Sequence, residues 1–412
     1  MSKPTIPVLF AALSSSFLTG CENSPWQGRA LSAQVEIVDP VEFVATPSPS
    51  SLLGLKFAAL AEIDPEHPLA DPMSGQTLSL FGREDLIASA RDDYRASGCA
   101  QATLASDVYT EIERRARKTS VVIISESHER SEHRGFTAEV VKRLRPLGYN
   151  TLAIETLANP TPDTPQQYLP PFLKRPSQPY LEDADGYYLS EAAFGRLGRL
   201  AKAMQYRLVP YEAHSEPTDR AKPQDEQIAV REERQASNLA AFLRDNPDAK
   251  VIVHVGYSHA AEVPRSDGAR WMAAHLKDKT GIDPLTISQT TCRGGASSIR
   301  FAALPANEPP GSFDLVIDHP EARFEGARPF WRKQAGDQLV AIASGLTPLT
   351  GWRVIEARPV GEPATSVPID RVAIRRGENV KLLLPPGRYN LRIIDVSIAS
   401  TPSHSSADKD GG

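Results

Sequence analysis

Between residues 120 and 289 this chain alternates short apolar strands with helical stretches, and that rhythm constrains its fold more than any other feature. Ser120-Val121-Val122-Ile123-Ile124 is almost unbroken apolar sequence, as expected of a strand buried on both faces. A helix is predicted over 135–145, stopped by Pro146 and Gly148. A second strand follows at 151–154, then a helix at 190–205 and a strand at 206–211. A long charged helix at 225–244, a strand at 250–255, a helix opening at Asp267 or Gly268 and a strand at 283–289 complete the series. Such alternation predicts βαβ units, and hence an α/β fold: a parallel sheet with flanking helices.

Ligands of an open parallel sheet bind at the carboxyl ends of its strands. Four of these predicted ends carry acids or imidazoles: Glu126-Ser127-His128, Glu155, Glu212-Ala213-His214, and the run from His254 to His259. Glu126 and His128 are two apart, so on extended chain they face the same way. That pairing suits metal ligation, or a carboxylate and an imidazole sharing one water. Glu155 ends an apolar strand, where an unpaired carboxylate is costly to bury, and Arg231 is its candidate partner. Glu212 and His214 repeat the Glu-x-His spacing. His254 lies inside its strand, so a core position and a site position both stand. Gly256 lets backbone approach a ligand closely, and His259 just beyond it is the leading catalytic candidate. Arg231, Arg234 and Asn238 recur at helical spacing and can present a polar stripe to a substrate. His133, in a charged helix start, reads as solvent-exposed, with haem or iron contact as the alternative. There is no Gly-x-Ser-x-Gly elbow, no phosphate-binding glycine loop and no His-Glu-x-x-His. Hydrolysis here would therefore use an activated water, with Glu126, His128, Glu155 and His259 as the catalytic set.

These residues resemble a superfamily that groups the haem-binding uptake (ChaN-like) proteins, the Tiki/TraB proteins and the erythromycin esterases. Glu126-Ser127-His128, Glu155, Gly256–His259 and Arg231-Glu232 with Asn238 carry the resemblance, over about residues 118–290. Ser125 stands where that family usually has glycine. The resemblance implies haem or iron binding, ester or lactone hydrolysis, or metal-dependent proteolysis. A divalent metal would be held by Glu126, His128 and His259; haem is the alternative cofactor.

The flanks set the expected context. Lys3 and the apolar stretch over 6–18 suit a signal-peptide core and are too short to cross a bilayer. Leu18-Thr19-Gly20-Cys21 resembles a bacterial lipobox, so residues 1–20 are expected to be removed and Cys21 lipidated. Glu22 follows in place of Asp, which by the same analogy directs the chain to the outer membrane, facing the periplasm. Export permits a disulfide between Cys99 and Cys292, though spacing alone leaves them bridged or buried as thiols. Residues 21–52 read as a tether with a brief alternating stretch at 33–44, and 53–329 as the α/β domain. Within it, 53–118 is mostly helical, with Ser106 capping a helix to 117. Seven prolines between 160 and 179 exclude regular structure and read as a lid over the crevice. From 330 to 398 short alternating stretches predict a small all-β, sandwich-like module, with a Pro385-Pro386-Gly387-Arg388 turn, and 399–412 reads as a disordered tail. A net charge of -5 with no basic stripe gives no reason to expect nucleic acid. The chain is thus expected to be a lipid-anchored envelope protein that hydrolyses a small-molecule or peptide substrate. The competing expectation is a haem- or iron-binding uptake lipoprotein without turnover.

Overall fold

The computed structural model describes residues 34–396 apart from 72, 103, 105, 215–216 and 265–267. The signal segment, Cys21 and the tail lie outside the described residues. After β1 (Val35–Val44), the alternating region supplies β2 (Val121–Glu126), β3 (Thr151–Ile154), β4 (Arg207–Val209) and β5 (Val251–Gly256). It continues with β6 (Leu285–Arg293), β7 (Arg300–Ala302) and β8 (Leu315–His319). Strands β2 to β8 form one sheet in the order β4-β3-β5-β2-β6-β8-β7, parallel except where β7 meets β8. This is the expected α/β architecture. It reaches further than the sequence suggests, because β6 runs on to Arg293 and two more strands follow.

Alternate strand residues go to opposite faces, and each face is covered by helices. Val122, Ile124, Leu152 and Ile252 pack with the helices Ser131–Leu144 and Ala192–Ala203. Val121, Ile123, Ala153 and Val253 pack with Gln224–Asp245 and Met272–Thr280. The helix Val108–Ala116 is capped by Asp107, which accepts from the amides of Tyr109 and Thr110, and not by Ser106. Asp107 wins because its carboxylate sits one residue before the first helical turn, where the free amides point.

The C-terminal region holds β9 (Phe324–Glu325), β10 (Arg328–Pro329), β11 (Gln338–Ala341), β12 (Trp352–Pro359), β13 (Asp370–Ile374), β14 (Lys381–Leu384) and β15 (Gly387–Val396). One sheet runs β1-β15-β12-β13, and β11 pairs with β14 in another. Two boundaries expected from sequence are corrected here. The alternating stretch assigned to a tether is β1, paired in parallel with β15 along its length. The helices Leu52–Glu62, Ser74–Leu80 and Glu84–Ala90 pack on the β-module rather than on the parallel sheet. Phe57, Leu60, Leu78 and Phe81 share a core with Trp352, Val354, Ala373 and Ile394. The reason is that β12 is apolar on both faces: Ile355 and Ala357 face the module's own core, while Trp352 and Val354 need a second cover. The proline-glycine turn does not make a hairpin either, because β14 joins β11 while β15 joins β12 and β1.

Cys99 and Cys292 are joined by a disulfide, with Cα atoms 5.6 Å apart. It ties the loop before the helix Val108–Ala116 to the end of β6. The proline-rich segment is a strap more than a free lid. Asp185 accepts from the Phe172 amide at 2.7 Å and the Glu182 amide at 2.8 Å, and Asp183 meets Arg371 of β13 at 3.1 Å. Beyond its prolines, Tyr188 reaches the crevice and stacks on His128.

Candidate active site

Strands β2, β5 and β3 lie side by side, so their carboxyl ends converge. Glu126 is in register with Gly256, and the Glu155 amide donates to His254 O at 3.1 Å. Glu126 is 2% exposed. Its Oε1 accepts from His128 Nδ1 at 2.9 Å and from Arg134 at 3.1 Å. Its Oε2 lies 2.8 Å from Arg134 Nε and 3.3 Å from His254 Nε2, both off hydrogen-bond alignment. Burial pushes the Glu126 carboxyl up, but Arg134, His254 and His128 together outweigh it and hold it far below the usual carboxylate range.

His128 stacks on Tyr188 at 4.5 Å and meets Tyr257 edge-on at 4.9 Å. Tyr257 holds a left-handed φ of 41°, uncommon for a non-glycine residue, in the turn that closes over His128. The third neighbour of the ring is Gly256, where a Cβ would lie 2.7 Å from His128 Cε1, 2.9 Å from Nε2 and 3.1 Å from Glu155 Oε2. The glycine is thus required by contact, since its backbone is ordinary extended chain.

Glu155 Oε2 accepts the Gly256 amide at 2.7 Å, Oε1 accepts from Arg231, and His259 Nε2 stands 3.6 Å from Oε1. Burial works to raise the Glu155 pKa, yet His259, Arg231 and His128 bring it below the usual value. His259 Nδ1 is 2.5 Å from Glu232 Oε1, a close pair off hydrogen-bond alignment. Glu232 is fully buried and fixed through Oε2 by the Met272 amide at 2.8 Å. Burial opposes protonation of His259, but the bond to Glu232 and the fields of Glu155 and Glu232 leave its pKa raised. Arg231 reaches His259 Nε2 at 3.2 Å and grips Glu212 with Nε at 3.0 Å and Nη2 at 2.6 Å. Beside it opens a cavity of about 380 Å³ lined by Glu212, His214, Gln224, Gln227 and Ile228.

The structure therefore brings Glu126, His128, Glu155, His259, Arg231 and Glu212 into one connected cluster. His254 stands behind Glu126, buried, with Nδ1 3.1 Å from Thr137 Oγ1. His214 lines the cavity beside Arg231, with its Nε2 2.8 Å from Asn159 O. Asn238 binds the carbonyls of Tyr211 and Glu212 at 3.1 and 3.2 Å, so it positions the loop after β4 and its amide does not point at a substrate. Arg234 is paired with Asp219. His133, expected at the surface, is fully buried, with Nδ1 accepting the Ser127 amide at 2.9 Å. Ser125 is buried within β2 and engaged by Gln289.

The expected metal set does not assemble. Among the described residues no three His, Cys, Asp or Glu side chains are placed to hold an ion. Each imidazole has Nδ1 on its own carboxylate, and Arg134 holds both oxygens of Glu126.

Sequence reasoning missed Glu232 and Arg134 as site residues, and both left a signal. The buried residues Glu232, Gln235, Ala236, Leu239 and Leu243 trace one face of their helix, and an acid on that face needs a partner. Arg134 sits likewise among Phe136, Thr137, Val140 and Val141.

Gly256→Ala provides a direct check. The new methyl group cannot be accommodated without moving a ring held by two tyrosines, so we expect stability to fall by about 1–3 kcal/mol. Activity should fall as far as in His128→Ala. A variant with wild-type melting temperature and turnover would show that His128 is not fixed as described.

No family model matches the chain, and no curated protein does. Among solved structures it is similar to ChaN of Campylobacter jejuni, described for its cofacial haem binding. The two are 12% identical over 51% of this chain and 91% of that one, at a TM-score of 0.35. The C-terminal region of Pasteurella multocida toxin, described as having a thiol-protease-like catalytic triad, is 16% identical. That match covers 66% of this chain and a third (33%) of the toxin chain, with a TM-score of 0.34. An erythromycin esterase mutant in its open conformation is 14% identical over 83% of this chain and 65% of that one, with a TM-score of 0.16. Overlaps this shallow carry no argument about activity, and the site's own geometry must supply it.

Proposed function

We propose that the protein is a hydrolase that activates water at the Glu155 crevice, without a serine or cysteine nucleophile. One observation carries this reading: two imidazoles, His128 and His259, each have Nδ1 beside a buried carboxylate, and His259 Nε2 stands 3.6 Å from Glu155 Oε1. Holding Nδ1–H fixes the tautomer and leaves Nε2 as the base. His259 Nε2 takes a proton from water as the water oxygen bonds to the acyl carbon. The carbonyl electron pair moves to its oxygen, whose charge Arg231 faces. Collapse restores the carbonyl and breaks the bond to the leaving oxygen or nitrogen, which takes its proton from imidazolium. Arg231 now contacts Nε2 at 3.2 Å, so substrate entry displaces that contact.

The test is a panel of ester, lactone and peptide substrates, run on wild type, His128→Ala and His259→Ala. Turnover by wild type that both variants lose supports the reading; turnover indifferent to both overturns it. A haemin titration run in parallel serves the competing reading. A saturable Soret shift lost in His128→Ala, without hydrolysis, would make the protein a haem-uptake component instead.

We further propose that the chain is exported and held in the envelope by a lipid on Cys21. The lipobox-like sequence supports this, and so does the Cys99–Cys292 bridge, which belongs to oxidising compartments. Radiolabelled palmitate should enter the wild-type protein in bacterial cells and not Cys21→Ser, which should leave the membrane fraction. Equal labelling of both would remove the proposal.

A further inference from the structure

On the other side of β2 from the crevice, the strand ends form a second polar cluster with its own cavity. His319 closes β8, is 2% exposed, and has Nε2 2.9 Å from Gln289 Oε1. The Gln289 amide nitrogen donates to Ser125 O at 2.9 Å and His133 O at 3.3 Å. The atom facing His319 is therefore oxygen, and His319 Nε2 carries the proton. With its proton on Nε2, the neutral ring presents Nδ1 as an acceptor; burial, with Arg293 and Arg130 nearby, holds the His319 pKa below the usual histidine value despite Glu132. Nδ1 faces Glu132 Oε1 across 3.8 Å. Two acceptors thus confront each other over a gap too long for a direct hydrogen bond and suited to one donor between them. The other Glu132 oxygen is taken by Arg293 at 2.6 Å.

Glu132 and His319 line a groove of about 470 Å³, within the range of small-molecule sites. Its walls are aromatic: Tyr109 and Phe136 stack at 5.6 Å on one side, and Trp331 stands on the other. Trp331 is fixed by its indole N–H on Ser131 Oγ at 3.1 Å and by Gly135, where a Cβ would meet the ring at 2.5 Å. The rim cation Lys142 is 3.4 Å from Glu139 and adds no net charge there. Arg293 balances the Glu132 charge, so what the floor offers between aromatic walls is two acceptors, which favour a hydrogen-bond donor on an apolar body.

We propose that this groove binds a primary ammonium carried on an apolar or aromatic body. Its N–H groups bridge Glu132 Oε1 and His319 Nδ1, and its body lies along Trp331 and Phe136. The site does not depend on the crevice chemistry proposed above.

Benzylamine is the probe, titrated calorimetrically into the whole chain. Benzyl alcohol is its neutral counterpart, and benzyltrimethylammonium is a cation that cannot donate. Benzylamine should bind saturably, with each counterpart at least about tenfold weaker. Glu132→Gln and His319→Phe should each abolish binding. Because either may unsettle the cluster, Ser298→Trp is the decisive variant: it fills the groove from an exposed rim position and should also abolish binding. Failure of benzylamine to saturate would overturn the proposal. So would undiminished binding in Ser298→Trp, or benzyltrimethylammonium binding as tightly as benzylamine.

Discussion

Replacing His259 with alanine is expected to lower kcat/KM for the hydrolysed substrate by about 10²–10⁴-fold, the usual contribution of a positioned general base. The pH profile should say more than the loss. His259 works as a base only when neutral, and its pKa is raised because Glu232 and Glu155 outweigh burial. Activity should therefore rise with pH, and the midpoint of its acid limb should lie above the ordinary histidine value of about 6.5. Glu232→Gln keeps an oxygen for the Met272 amide but removes the charge that favours imidazolium. Its acid limb should move to lower pH while its plateau falls, because a weaker and less firmly held base moves the proton less well. A limb that stays in place in Glu232→Gln would mean that His259 is not the titrating base.

The parallel sheet was legible because buried strands write themselves as unbroken apolar runs, as in Val121–Glu126, where every residue is buried. Glu126, His128, Glu155 and His259 were legible for a related reason: polar groups at the ends of such runs have nowhere to go but the crevice. What the sequence hid is pairing across distance. β1 reads as an ordinary polar-apolar alternation and reveals its role only through β15, more than three hundred residues later. His133 was misread because its charged neighbours suggested a wet surface. The helix Ser131–Leu144 instead turns that residue and Arg134 inwards, where Ser127 and Glu126 meet them. Glu232 was named beside Arg231 in the motif but given no role, because adjacent helical residues look alike until the helix face is counted.

Asp370→Ala should be among the most destabilising single changes in the chain, at about 3–5 kcal/mol. Asp370 is fully buried in β13, and one of its oxygens is 2.5 Å from both Arg328 and Arg332, while the other accepts the Leu383 amide at 2.8 Å. Both arginines are themselves nearly inaccessible, at 1% and 3% exposure. Arg332 keeps Asp337 at 2.9 Å when Asp370 is lost. Arg328 retains only the carbonyl of Gly82, so its charge stays in the interior without a carboxylate. The consequence reaches beyond one strand, because Gly82, Arg328 and Asp370 belong to three different segments. They are the turn between the N-terminal helices, the entry to the C-terminal region, and the module's sheet. Denaturant unfolding should show the midpoint falling steeply in Asp370→Ala. Glu325→Ala breaks a half-exposed pair with Lys333 and should cost at most about 1 kcal/mol. Equal, small losses in both would mean that the buried charges relax into water, and that apolar packing alone joins the N-terminal helices to the module.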